Sequence, residues 1–222
     1  MDTKFWHQKW AANDISFHES KVNPLLVTYF KALSLAKGSR VFVPLCGKTL
    51  DIAWLLSNGY RVAGAELSEL AITQLFEALG IQPEIRNIGD VKHYSATAFD
   101  IFVGDIFDLK YAMLGVIDAI YDRAALVALP ENMRVRYTQH VTDITDNAPQ
   151  ILITFDYDQK LMDGPPFSIS SEEVNRHYKD SYKISSLISL DVIGGLKRTT
   201  PAKETVWLLK ALTTDSSKNQ KA

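Results

Sequence analysis

SRVFVPLCGKTLDIAWLL, residues 39–56, is the stretch from which the fold can be read. Val41-Phe42-Val43 is an apolar run of β type. It breaks at Pro44 and Gly47, and a helical pattern follows. Strand, tight turn and helix in that order open the nucleotide sites of many α/β folds. This turn carries one glycine, whereas a dinucleotide fingerprint wants three. A pyrophosphate needs several backbone N–H groups around a glycine-rich turn, so this one suits a ligand without a pyrophosphate.

The alternation continues downstream. The helix begun near Thr49 ends at Asn58-Gly59, and RVAGAEL (61–67) gives a second strand. Ser68 is positioned to cap the next helix, with Glu69 against its positive end. Leu70, Ile72, Leu75, Phe76 and Leu79 line that helix as far as Gly80. After a looser stretch, FDIFVGDIFDL (99–109) reads as a third strand turning at Gly104-Asp105. DAIYDRAAL (118–126) gives a fourth strand and QILITFDYD (150–158) a fifth. Helices are expected from Pro130-Glu131 to about Ile144 and over Glu172 to Lys179. ISSLISLDVI (184–193) and KETVWLLKAL (203–212) close the chain as an antiparallel pair. Upstream, KFWHQKWAA (4–12) reads as a short helix. Asn23 and Pro24 then start another with Leu26, Tyr29, Phe30 and Leu33 on its buried face.

These elements predict a three-layer α/β sandwich of Rossmann-like type. Its seven-stranded sheet is mostly parallel, with one antiparallel strand near an edge. The 222 residues, 46% of them hydrophobic, suit a single domain. Within it, residues 1–36 form a helical cover, 37–212 the α/β core and 213–222 a frayed polar tail.

Composition narrows the partners. The net charge is −2 and Lys and Arg are scattered, which argues against a nucleic-acid binder. No apolar run reaches the roughly 18 residues of a membrane span. MDTKFWHQKW lacks the basic-then-apolar pattern of a leader, so a cytoplasmic protein is expected; a monomer is expected as well. Cys46 is the only cysteine, and the five histidines sit at no ligand spacing, so no metal is expected.

Sheets of this kind bind ligands beyond the carboxyl ends of their strands. Gly47 follows the first strand. Glu66 follows the second, 19 positions on, where a carboxylate suits a ribose diol. Asp105-Ile106 follows the third strand; the acid can accept from an adenine amino group while the ring lies on the aliphatic side chain. Tyr121-Asp122-Arg123 follows the fourth. Adenine and ribose pockets without a phosphate cradle point to S-adenosylmethionine. Each residue also has a bland reading: Glu66 as a solvated acid at a strand end, Gly47 as a mere turn, Trp6 and Trp10 as core, Arg123 as a partner of Asp122 or a helix cap.

FWHQKW, SFHESKVNP, VPLCGKTLDIAWL, GAELSELAI, DIFDL, YDRAALVALP and DGPPFSIS, in that order along nearly the whole chain, resemble the bacterial thiopurine S-methyltransferases. VPLCGK in place of a glycine triplet is distinctive of that family. The resemblance implies that Trp10 covers the cofactor, Leu45 lies against its methionine portion, Glu66 holds the ribose and Asp105-Ile106 meet the adenine. It implies that Arg123 lies near both cofactor and acceptor, and that Phe17, Pro165 and Pro166 border an aromatic acceptor. Asp105 departs from the mammalian members, which carry a small polar residue there.

A thiopurine sulfur is acidic enough to be substantially thiolate near neutral pH, so methyl transfer to it needs alignment and a dry chamber rather than a strong base. Trp6, Trp10, Phe17 and Phe167 are suitable walls, and Arg123 would favour an anionic acceptor. Cys46, in a tight turn, reads as a packing residue rather than a methyl carrier. DGPPF (163–167) is similar to the Asp/Asn-Pro-Pro-aromatic signature of methyltransferases acting on base amino groups. Its inserted glycine and its position after the fifth strand make it a stiff lid loop instead. Three alternatives stand beside the main reading: small thiols or selenium and tellurium oxyanions as natural acceptors, a nicotinamide-dependent oxidoreductase, and a non-catalytic nucleoside-binding module.

Overall fold

The β-type runs that the sequence sets between helices lie side by side and form the centre of one sheet. The computed structural model describes residues 3–212; the 213–222 tail lies outside them. In chain order the elements begin with α1 (Thr3–Ala11), α2 (Pro24–Tyr29), β1 (Arg40–Val43), α3 (Asp51–Ser57), β2 (Arg61–Glu66) and α4 (Glu69–Leu79). There follow β3 (Glu84–Ile88), β4 (Val91–Ala96), β5 (Phe99–Val103), α5 (Tyr111–Leu114), β6 (Ala119–Arg123) and α6 (Glu131–Ile144). The last are β7 (Gln150–Asp156), α7 (Ser171–Tyr178), β8 (Tyr182–Asp191) and β9 (Lys203–Ala211).

The sheet order is β3-β4-β5-β2-β1-β6-β7-β9-β8. The five strands from β5 to β7 are parallel, and every pairing outside that block is antiparallel. The sheet therefore has nine strands rather than the expected seven, and two of them, β4 and β9, run against the parallel block. The additional pair is the β3–β4 hairpin, which occupies the stretch read as loose. Residues 84–87 of β3 are exposed, so it has no apolar alternation to mark it. Its one local signal is Gly89-Asp90 between two short runs, a two-residue hairpin loop.

Successive residues of the central strands feed two cores. Phe42, Phe102, Ile120 and Leu152 point to one face, under α6 and α7. Val41, Val43, Ile101, Tyr121 and Ile151 point to the other, under α2, α3 and α4. This period of two, with helices on both faces, makes the three layers. The predicted caps are formed as well. Asn23 Oδ1 accepts from the Leu25 and Leu26 N–H groups at 2.8 and 3.3 Å, and Ser68 Oγ accepts from Ala71 N–H at 3.3 Å. Among the described residues no helix is long and apolar enough to cross a membrane.

The chain leaves β1 toward β2 on one side and returns through β5 to β6 on the other. The crevice beyond β1 and β6 is thus the switch point of the sheet, where ligands of such folds bind.

Candidate active site

A cavity of about 790 Å³ opens at this crevice, within the usual range for small-molecule sites. Trp10, Phe17, Leu45, Glu66, Asp105, Ile106, Arg123, Pro165 and Pro166, the residues singled out from the sequence, all line it.

The turn after β1 is shaped by two left-handed residues, Leu45 (φ 46°) and Gly47 (φ 52°). A Cβ on Gly47 would stand 3.0 Å from Cζ2 of Trp10, so the missing side chain is what lets the indole close on the turn. Gly47 N–H donates to Glu66 Oε2 and Ser68 N–H to Oε1, both at 2.8 Å. Glu66 is 6% exposed. Burial pushes its pKa up from the usual carboxylate value, and the N–H groups of Ser68, Gly47 and Leu67 pull against that shift. The two oxygens together offer about four acceptor sites, so capacity remains beyond these N–H groups, and Glu66 lines the cavity where it can be used.

Asp105 is exposed, and its Oδ1 accepts from Phe107 N–H at 3.0 Å, which caps a short turn and holds Ile106 beside it. Ile106 is buried, and its carbonyl is 2.7 Å from His140 Nε2. Trp6, Phe17 and Trp10 form an edge-to-face series, with Phe17 5.6 Å from Trp6 and 5.5 Å from Trp10 between ring centroids.

Alternation along β6 separates three neighbours. Tyr121 and Arg123 face the cavity. Asp122 faces α6, where it accepts from Tyr137 Oη at 2.7 Å and Leu126 N–H at 3.1 Å, and burial pushes its pKa up to about 6. Arg123 therefore does not pair with Asp122. Its Nη2 lies 3.3 Å from Oε1 of Glu19, on the loop after α1. Phe167, expected as a wall, is not on the lining; its ring lies against Gly164 and beneath Arg134.

Several lining residues were not foreseen. Asp51, 1% exposed, accepts from Asn23 N–H at 2.8 Å and from Tyr121 Oη at 2.9 Å, a second buried carboxylate at the crevice. Burial, Lys48 and Arg123 push the His18 pKa down, which leaves its ring neutral at pH 7. Lys197 and Arg198, consecutive left-handed residues in the β8–β9 loop, reach the rim. All of these arrive through tertiary folding, and no local spacing announces them.

The sequence model of the family described as Thiopurine S-methyltransferase (TPMT) matches residues 1–211. The chain belongs to that family. The thiopurine S-methyltransferase of Xanthobacter autotrophicus is 52% identical over 211 residues, 95% of this chain and 99% of the relative. That of Teredinibacter turnerae is 52% identical over 209 residues, 94% and 97% of the two chains. As a member of this family the chain is a methyltransferase. A solved structure, the Burkholderia thailandensis 1,6-didemethyltoxoflavin-N1-methyltransferase with 1,6-didemethyltoxoflavin and S-adenosylhomocysteine bound, matches with a TM-score of 0.64. At 13% identity, over 95% of this chain and 87% of that one, this likeness speaks for the fold. Family membership leaves nothing to support a nicotinamide oxidoreductase or a passive binding module.

Proposed function

We propose that the chain transfers the methyl group of S-adenosylmethionine to the sulfur of an aromatic or heterocyclic thiol such as a thiopurine. The observation that carries this reading is the two-sided character of one cavity. On one side the buried Glu66 carboxylate, with acceptor sites to spare, lies with Leu45, Asp105 and apolar Ile106. On the other, Arg123 ends β6 and Pro165 and Pro166 follow β7, and the rings of Trp6 and Phe17 also line the cavity.

The residues fit a nucleoside with a short tail. Glu66 holds the ribose hydroxyls, Asp105 and Ile106 take the edge and face of the adenine, Leu45 lies along the methionine portion and Trp10 covers it. When bound, S-adenosylmethionine supplies a methyl group on a positively charged sulfur that leaves without needing a proton. The guanidinium of Arg123 favours the thiolate form of an acceptor and pairs with an anionic ring. Trp6, Trp10 and Phe17 exclude water, which preserves thiolate reactivity. Holding acceptor and donor in line supplies about 7–11 kcal/mol in favourable cases. A monomer acting on a small molecule in the cytoplasm completes the proposal.

A second reading, with small thiols or selenium or tellurium oxyanions as natural acceptors, draws support from Lys197 and Arg198 at the rim. Transfer of a labelled methyl group to thiopurine, selenium and tellurium acceptors, run side by side, tests both. Thiopurine methylation is expected, and no transfer to any sulfur acceptor overturns the first reading. Arg123→Leu is expected to lower kcat/KM about tenfold or more for anionic acceptors and less for neutral ones. Equal effects on both would remove the role given to Arg123.

A further inference from the structure

Arg134, on α6, lies outside the cavity and is 5% exposed, yet it touches both segments that form the cavity's far side. The first segment, residues 124–129, contributes Ala124, Val127, Ala128 and Leu129 to the lining. The second, residues 163–168, contributes Gly164, Pro165 and Pro166. Arg134 Nε donates to the Leu129 carbonyl at 2.9 Å, and Nη1 reaches the Ser168 carbonyl at 3.4 Å. The guanidinium carbon stands 5.6 Å from the centroid of the Phe167 ring. That ring also meets the backbone of Gly164 so closely that a Cβ there would fall 2.6 Å from it. Phe167 thus contacts both Arg134 and Gly164, and its own N–H donates to the Val127 carbonyl at 2.7 Å.

The guanidinium is itself held in place. Its Nη1 pairs with Glu173 Oε1 on α7 at 2.5 Å, and His177 Nε2 lies 3.1 Å from the same oxygen. Burial raises the Glu173 pKa, but hydrogen bonds from His177 and Arg134 more than reverse that, so its net shift is downward and it is ionised at neutral pH. A planar fork in a fixed socket can span two backbone segments at once. A lysine ammonium, a single point charge, cannot.

We infer that Arg134 is a positioning residue that sets the width of the acceptor side of the cavity, acting through Phe167 on the Pro165-Pro166 wall. It thereby selects the size of acceptor ring that is methylated. This rests on the reading of that side as the acceptor chamber.

The test uses the full chain with Phe167→Leu, which leaves every charge in place, Phe167→Tyr, which keeps the ring, and Arg134→Lys. KM and kcat are measured with 6-mercaptopurine and with thiophenol as a smaller acceptor, and S-adenosylhomocysteine binding by calorimetry. Phe167→Leu and Arg134→Lys are expected to raise KM for the bicyclic thiol about tenfold or more and to weaken discrimination between the two thiols. They should leave S-adenosylhomocysteine affinity within about twofold, because its proposed contacts lie on the other side of the cavity. Phe167→Tyr is expected to behave as wild type. Should Arg134→Lys fail to fold, the Phe167 pair decides. A lower melting temperature with unchanged KM and unchanged thiol discrimination overturns the inference alone. A wild-type chain that methylates neither thiol overturns the functional reading and the inference together.

Discussion

Glu66 gives one carboxylate two tasks: it fixes the turn after β1 through Gly47 N–H, and it presents acceptor sites to the cavity. Its pKa is raised by burial, so a proton returns to it at a higher pH than to a free carboxylate. For folding, a raised value means that its contribution is fully present below the unfolded pKa and is lost as pH rises through the folded one. For ligand binding the sign reverses, because a protonated carboxyl accepts fewer hydrogen bonds. S-adenosylhomocysteine affinity is therefore expected to fall as pH drops through the acid range. Glu66→Gln should weaken binding about 10- to 100-fold, as for hydrogen bonds to a charged group, and flatten that pH dependence. Calorimetry across pH checks both. Glu66, Gly47 and Arg123 were legible because each ends or follows a strand whose place in the alternation is plain. Asp51, Glu19 and Lys197 were not, since only the folded path brings them to the crevice.

The turn between β1 and α3 acts as a unit with α1, because Trp10 rests on Gly47. Gly47→Ala puts a Cβ on a left-handed residue (φ 52°) and against the indole. The expected cost is about 1–2 kcal/mol in urea unfolding, together with weaker S-adenosylhomocysteine binding as the cover lifts. A loss of stability with unchanged affinity would separate Trp10 from the ligand site. Helices and central strands were readable here because caps such as Asn23 and Ser68 and the apolar β1 run are local signals. The β3–β4 hairpin was missed for the opposite reason: an edge strand that buries almost nothing has no pattern to display.

For the molecule as a whole, the switch point decides function, and strand order alone puts it beyond β1 and β6. Nine strands in place of seven extend the sheet at an edge and leave that crevice unchanged. A ligand held there stabilises the entire domain by mass action. S-adenosylhomocysteine at 100 times its Kd should add about 2.7 kcal/mol, a rise in Tm of about 5–11 °C for a chain of this size. NAD should give no shift, since the turn holds no glycine-rich cradle. A rise with NAD alone would contradict the cofactor assignment. The single cysteine carries a last implication. Cys46 lines the cavity but is 6% exposed, and burial together with the Glu66 charge pushes its pKa well up. A methyltransferase thus keeps its own thiol protonated and walled in, which guards it against inactivating itself turnover after turnover.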